Sequence, residues 1–398
     1  MMAAFAYSRL REGWCRPQVG VDFHTFDGIF QGSRSHVLGI FREAIRLAPE
    51  MDFILFLDNP EQLKSAHPEF GAPNVRLVRM PHRPGPIRLG LQLPWLQVRE
   101  KLDLLHTQYR LPFFPLGPCA CTIHDVLFES HPEYFPHFFT LQSKLTFRLA
   151  ARVARLLFSV SEFSRKEIAT RFGIEAERIR VLYNGVDRAR FFPGREGVEK
   201  LAPLGLDAGG YLLTVGRLEP RKNHARLIEA FGRLGEGAPP LVCVGQRDFG
   251  YAAALDAATR FGVQGRVHFL ENVGDDMLPV LMRNARAFVF PAIAEGFGMP
   301  VAEALASGVP VVTSNTTSMP EVAGSAAVLV DPLDVTSIAQ GLEKVLGDPE
   351  LAATMVTEGA EQIKKFDWAE SARALVASYR GFFADRYAMQ GAPSERGA

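Results

Sequence analysis

Residues 287–313 read AFVFPAIAEGFGMPVAEALASGVPVVT. One apolar run, Ala287 to Phe290, opens the stretch, another, Val309 to Thr313, closes it, and a helical pattern lies between them. That order is a parallel β-α-β unit whose strands are buried on both faces. The helix is predicted over Met299 to Ala306. Pro300 suits a first turn, where its missing N–H would have had no intrahelical partner, and Gly308 stands where a helix of this length is capped.

The same alternation continues on either side. The first half has predicted strands at Phe53 to Leu57, Val75 to Val78, Leu104 to His106, Ala120 to Ile123, Leu156 to Val160 and Ile179 to Leu182. The second half adds Tyr211 to Val215, Leu241 to Val244, Val267 to Leu270 and Ala327 to Val330. Strands alternating with helices at this spacing indicate doubly wound α/β sheets. A chain of 398 residues exceeds what one hydrophobic core serves. Asn184-Gly-Val-Asp187, Phe192-Pro-Gly194 and a charged stretch to Gly210 read as the interdomain linker. The expected organisation is two Rossmann-like domains facing each other across a cleft, over residues 1–195 and 205–375. A C-terminal helix and tail over 376–398 would cross back to the first domain, ending in a polar, disordered segment from Gly391 to Ala398. Ligands of such sheets bind at the carboxyl edge of the strands.

A composition 47% hydrophobic and 22% charged belongs to a soluble globular protein, and 44 basic against 44 acidic residues give no electrostatic reason to propose nucleic acid. The cysteines, Cys15, Cys119, Cys121 and Cys243, are too few and scattered for a disulfide framework or a zinc site, which fits a reducing, cytoplasmic setting. Met1 to Val21 contains Arg9, Arg11, Glu12 and Arg16 and lacks the apolar core of a signal peptide. No apolar run approaches the roughly 20 residues that span a bilayer, so a membrane role would be peripheral.

The chemistry concentrates at strand ends. Glu295-Gly-Phe-Gly-Met-Pro-Val-Ala-Glu303 places two carboxylates around a helix start whose free N–H groups, on Phe297 to Met299, would point into the cleft. Gly296 and Gly298 let a ligand approach the backbone closely. Glu295 and Glu303 can then accept hydrogen bonds from two parts of one elongated polyhydroxylated ligand. Either glutamate alone would read as a solvated side chain or as a helix-dipole partner. Gly216-Arg217-Leu-Glu-Pro-Arg-Lys222-Asn223 follows another strand of the same sheet. Arg217 offers a planar fork and Lys222 a point charge, the complement of a diphosphate, with Arg221 a bystander. In the first half, Thr122-Ile-His124-Asp125 ends a strand at the same edge, where a histidine can donate to a sugar hydroxyl or to an oxygen developing charge. Position alone does not separate His124 from His24, His36 and His106.

These motifs, together with Ser307-Gly308-Val-Pro310, Val160-Ser-Glu-Phe-Ser164 and Val181-Leu-Tyr-Asn-Gly-Val-Asp187, resemble glycosyltransferase family 4, of the two-domain GT-B fold, from about residue 20 to 380. The resemblance implies that Arg217 and Lys222 hold the donor diphosphate. It gives Glu295 and the backbone of Phe297, Gly298 and Met299 the sugar, Glu303 the nucleotide ribose, and His124 a place beside the donor sugar. Many members carry a glycine pair in the first loop; this chain reads Gly28-Ile-Phe-Gln-Gly32-Ser33-Arg34, so Gly32 alone keeps the role of close backbone approach. His124-Asp125 with Pro132-Glu-Tyr-Phe-Pro136 looks most like bacterial mannosyltransferases that build surface polysaccharides, which makes GDP-mannose the first donor to consider. The acceptor would be a saccharide or a lipid-linked saccharide. A helix from Phe138 to Leu157 is expected to carry Lys144, Arg148, Arg152 and Arg155 on one face, either solvated or set against anionic lipid or a lipid-diphosphate acceptor.

Cations and a helix start can stabilise a leaving diphosphate without a metal, and no Asp-x-Asp lies near the site, so neither metal nor cofactor is expected. Retention of configuration is implied by the resemblance, yet no residue presents itself as a covalent nucleophile. Same-face attack by the acceptor is therefore favoured, with the phosphate taking the acceptor proton and His124 supporting the sugar. A dehydrogenase would need a G-x-G-x-x-G or G-x-G-x-x-A turn, and Gly296-Phe-Gly298-Met-Pro-Val301 ends in valine. A two-lobed periplasmic sugar-binding protein would have no need of a diphosphate clamp. A nucleotide-sugar epimerase of related architecture is set aside only by the better family match.

Overall fold

The computed structural model describes residues 16–27 and 32–390, with the side chains of 389 and 390 excepted; Gly28, the N-terminal residues 1–15 and the tail from Gly391 lie outside the described residues. Seven parallel strands form the first sheet: β1 (Gln18–Asp22), β2 (Asp52–Leu57), β3 (Val75–Arg79), β4 (Leu104–Gln108), β5 (Cys119–Thr122), β6 (Leu156–Ser159) and β7 (Ile179–Val181), in the order β3-β2-β1-β4-β5-β6-β7. Six parallel strands form the second: β8 (Leu212–Val215), β9 (Leu241–Val244), β10 (Val267–Leu270), β11 (Ala287–Phe290), β12 (Val311–Ser314) and β13 (Ala327–Val330), in the order β10-β9-β8-β11-β12-β13. Each sheet is covered on both faces, and β4, β5, β11 and β12 are buried along their whole length, polar residues such as His106, Thr122 and Thr313 included.

The strand missing from the sequence reading is β1, the centre of its sheet. It follows Pro17 and contains Gly20, so it lacks the uninterrupted apolar run that announces a strand. The glycine is required by packing, since a Cβ there would run into the Leu102 side chain. The helices that matter to the site are α1 (Gly32–Leu47), α2 (His137–Val153), α3 (Glu162–Phe172), α4 (Met299–Ala306) and α5 (Trp368–Gln390). α4 occupies the predicted residues. Its entry residue Gly298 has φ +99° and Gly308 beyond its end has φ +69°, conformations that favour glycine. α2 is shorter than expected. It ends at Val153, because Leu156 and Leu157 are needed in β6, and Arg155 therefore lies outside the helix.

α5 returns to the first domain, beginning at Trp368, ahead of residue 376 where a terminal helix was expected. Ala372, Leu375, Val376, Tyr379 and Phe383 join the core formed by α1 and β1. Tyr379 and Thr122 hold the buried His106 ring between them, which gives that histidine a structural role. Among the described residues no helix is long and apolar enough to cross a membrane.

Candidate active site

The strand order reverses direction between β1 and β4 in one sheet and between β8 and β11 in the other, and ligands of open α/β sheets enter at such points. Both points open into one cleft of about 880 Å³, lined from the first domain by Gly32, Tyr109 and His124 and from the second by Arg217, Lys222, Glu295 and Glu303. The expected site residues therefore converge, with Phe297, Gly298 and Met299 also on the wall.

On the second domain, the loop after β8 is pinned by Asn223, whose amide donates to the carbonyls of Pro291 (2.9 Å) and Pro332 (2.6 Å). This fixes Lys222, whose ammonium donates to Glu295 Oε1 and lies 5.0 Å from the centre of the Phe290 ring. Arg221 is more than a bystander. Its guanidinium donates to the same Glu295 oxygen (2.8 Å) and to the Ala294 carbonyl (2.7 Å), and it pairs with Glu219. Burial alone would raise the Glu295 pKa, but Arg221 and Lys222 overcome it and hold the carboxyl below its ordinary value. Burial lowers the Lys222 pKa despite Glu295 beside it. Arg217 is half-exposed and pairs with Asp248 at 2.8 Å.

The N–H groups of Phe297, Gly298 and Met299 donate to no group among the described residues. The Phe297 ring is buried against Phe366, 5.3 Å between centroids, so this residue faces the cleft with its backbone only. Glu303 lines the cleft one turn into α4, and burial pushes its pKa up from the ordinary 4.5 to about 8, Arg190 opposing. A raised carboxyl contributes stability that is complete below 4.5 and lost as pH rises through about 8. Thermal unfolding followed between pH 5 and 9 should therefore show a decline that is flatter in Glu303→Gln, whereas parallel profiles would exclude Glu303 as its source.

On the first domain, α1 starts at Gly32, where a Cβ would lie 3.8 Å from Met299 across the cleft. Ser33 is buried and hydrogen-bonds Tyr109, and the Arg34 guanidinium covers the Phe26 ring at 4.9 Å. His124 sits between the rings of His36 (4.7 Å) and Tyr109 (4.8 Å). Burial, then the neighbouring His36, pulls its pKa well below the ordinary value, so the imidazole is neutral. Its Nε2 lies 2.5 Å from Gln108 Oε1, so in this arrangement Nε2–H donates there and Nδ1 is left as an acceptor. His36 is fully buried, with Nδ1 2.8 Å from the Asn184 side chain, and does not line the cleft.

Several residues that join the halves were not foreseen. The hydroxyls of Ser161 (2.6 Å) and Ser164 (3.1 Å) donate to the Gly296 carbonyl, and the Glu321 carboxylate accepts from the backbone N–H groups of Glu162 (2.7 Å) and Phe163 (3.0 Å) at the start of α3. A Cβ on Gly296 would fall 2.7 Å from Asp125 Cβ and 3.0 Å from the His124 carbonyl. Gly296→Ala should push the two halves apart, with a cost of about 1–3 kcal/mol. The same change should lower turnover at least about tenfold, since a misplacement of one ångström is felt strongly in catalysis. Wild-type turnover in this variant would show that the approach is incidental.

The basic face expected on α2 is largely engaged within the protein. Lys144 pairs with Glu129 at 3.2 Å, and Arg148 (2.9 Å) and Arg152 (3.4 Å) donate to the last carbonyls of α3, at Arg171 and Phe172.

Residues 30–190 match the model of Glycosyltransferase Family 4, and residues 204–362 that of Glycosyl transferases group 1. The O-antigen chain mannosyltransferase B of Escherichia coli is 33% identical over 270 residues, which cover 67% of this chain and 71% of that one. The chain belongs to glycosyltransferase family 4. The O-antigen chain mannosyltransferase RfbU of Salmonella typhimurium is 29% identical to this glycosyltransferase over 260 residues, covering 63% of this chain and 68% of that one. The longer serotype-specific mannosyltransferase WbdA of Escherichia coli is 27% identical over 272 residues, 65% of this chain but 33% of its own. Sucrose-phosphate synthase from Thermosynechococcus elongatus has a TM-score of 0.75 at 21% identity, covering 93% of this glycosyltransferase and 100% of that chain. HepE of Anabaena, solved with UDP-glucose, has a TM-score of 0.71 at 21% identity, covering 91% and 98%. Likeness at that identity speaks for the GT-B fold.

Proposed function

We propose that this glycosyltransferase moves mannose from GDP-mannose, with retention of configuration and without a metal or cofactor, to a saccharide or lipid-linked saccharide in polysaccharide or glycolipid synthesis. The convergence of the Lys222–Glu295 pair and His124 on one cleft supports the reading most directly, and the O-antigen mannosyltransferases among the relatives support mannose.

The chemistry follows from the charges. A donor diphosphate brings further negative charge to the buried Lys222 ammonium, while Arg217 and the open N–H groups of Phe297 to Met299 supply further donors. Glu295, held ionised, and the neutral His124, through Nδ1, accept from sugar hydroxyls on opposite walls. Glu303 meets the ribose. As the bond from the anomeric carbon to the diphosphate breaks, its electron pair stays on the leaving phosphate, where these donors stabilise it. The acceptor oxygen bonds to the same face of the anomeric carbon, and its proton passes to a phosphate oxygen.

Transfer from the α-linked donor in excess EDTA should proceed at the untreated rate and give an α-mannoside, read from the anomeric one-bond coupling by NMR. A β-linked product would refute retention, and loss of transfer restored by magnesium or manganese would refute metal independence.

A further inference from the structure

Twelve of the eighteen exposed large apolar side chains among the described residues fall between Ile87 and Val153, on one side of the first domain. The turns Gly85–Ile87, Arg88–Gln92 and Leu93–Arg99 run on as one helix, and α2 lies beside it on the same sheet face. Leu89, Leu93 and Leu96 of the former and Phe147, Ala150 and Ala151 of the latter fill the core beneath. The outward faces should then be polar, and they are not.

Ile87, Leu91, Trp95 and Val98 stand exposed at helical spacing along the first helix. Phe138, Leu141, Leu145, Leu149 and Val153 do the same along α2, with Phe138, Leu141 and Leu145 more than 70% exposed. The loop after β4 bridges the two: Arg110 donates to Ser143 of α2 (2.8 Å), and the N–H of Leu116 donates to Gln97 of the first helix (3.0 Å). That loop adds exposed Phe114 and Leu116 between the stripes. An apolar face this extended on one side marks a contact surface.

Charge chooses the occupant. Neither helix contains an aspartate or glutamate, while together they carry Arg88, Arg99, Lys144, Arg148 and Arg152. Arg88 points inward to Asp22, whereas the other four have exposed side chains along the rims of the stripes. Arg99 lies over the Trp95 ring at 4.7 Å and pairs with Glu100 at 3.1 Å, and Lys144 pairs with Glu129, while Arg148 and Arg152 bond only backbone carbonyls among the described residues and keep their charge uncompensated. A second copy meeting this face across a two-fold axis would set cations against cations. Apolar side chains with an interfacial tryptophan and a cationic rim suit an anionic lipid surface.

We infer that the outward faces of residues 85–99 and α2 form one docking surface that seats the protein on an anionic bilayer. The apolar stripes enter the acyl boundary, and the rim cations meet the headgroups. Phe135, just ahead of α2, and Phe139 in its first turn line the cleft, so its mouth opens beside the docked face. The inference rests on this surface alone and holds whichever sugar is transferred.

The test is flotation of the full chain with phosphatidylglycerol–phosphatidylcholine vesicles at low salt, compared with phosphatidylcholine alone. The wild type should float with the anionic vesicles and at least about tenfold less with the neutral ones. Leu141→Glu with Leu145→Glu should reduce flotation at least about tenfold, while nucleoside diphosphate affinity and the unfolding temperature stay at wild-type values, since neither residue lines the cleft. A second variant, Trp95→Glu on the other helix, should lose binding as well. A wild type that stays in solution with anionic vesicles overturns the inference, as do glutamate variants that float like the wild type. A dimer that these variants convert to monomer, with no vesicle binding, would assign the face to a second copy instead.

Discussion

His124→Ala and Glu295→Gln should each lower turnover by about a hundredfold or more while the affinity for free nucleoside diphosphate stays near normal. Loss of a positioned polar group that acts in the transition state has this scale. Neither side chain is assigned to the phosphates. His124 is neutral and tied to Gln108, and Glu295 repels a diphosphate rather than binding one. Glu295→Gln should leave nucleoside diphosphate binding equal or tighter, because Lys222 and Arg221 lose the carboxylate that occupies them in the empty cleft. The variant should unfold at a lower temperature for the same reason, two buried cations having lost their anion. Rate and affinity measured on folded variants separate the two roles. Wild-type turnover in either variant would show that the residue has been assigned wrongly.

Lys222→Ala should weaken nucleoside diphosphate binding by about 1.5–3 kcal/mol, the worth of a hydrogen bond to a charged group, or roughly 10- to 150-fold in Kd. The fold should survive, since Arg221 still holds Glu295 at 2.8 Å and Asn223 still pins the loop. Calorimetric titration reads the effect directly, and unchanged affinity in a folded variant would remove Lys222 from the diphosphate site. Arg217→Ala should cost less, because its side chain is half-exposed and already shared with Asp248.

Local signals explain why so much of the site was legible. Pro300, Gly298 and Gly308 bound α4 in the sequence because each answers a backbone requirement within the element itself. The strand ends bearing Arg217, Lys222, His124 and Glu295 were readable because continuous apolar runs precede them. β1 was missed because its apolar run is interrupted at Gly20, a choice dictated by Leu102, which is remote in sequence. α2 was drawn too long because no glycine or proline follows Val153 to stop it, and pairing with β5 turns the next residues into β6. The latch between the domains was out of reach for a stronger reason. Ser161 and Gly296, or Glu321 and Glu162, lie more than 130 residues apart, and nothing in either segment specifies the other. Arg221 illustrates the same limit. A cation beside a glutamate-rich cleft reads as a spare until the fold brings Glu295 and Glu219 onto its guanidinium. The apolar stripes of α2 were present in the sequence, but a stripe shows whether it faces core or solvent only once the sheet beneath it is in place.

The most direct measurement follows nucleoside diphosphate release and the fate of the labelled sugar when the protein is incubated with GDP-mannose in EDTA, with and without a saccharide acceptor. Sugar transfer in the cleft predicts GDP release above the uncatalysed rate, faster with acceptor, and slower by about a hundredfold in His124→Ala. GDP-mannose recovered unchanged, its sugar epimerised with the diphosphate bond intact, or equal release by the wild type and His124→Ala would each contradict it.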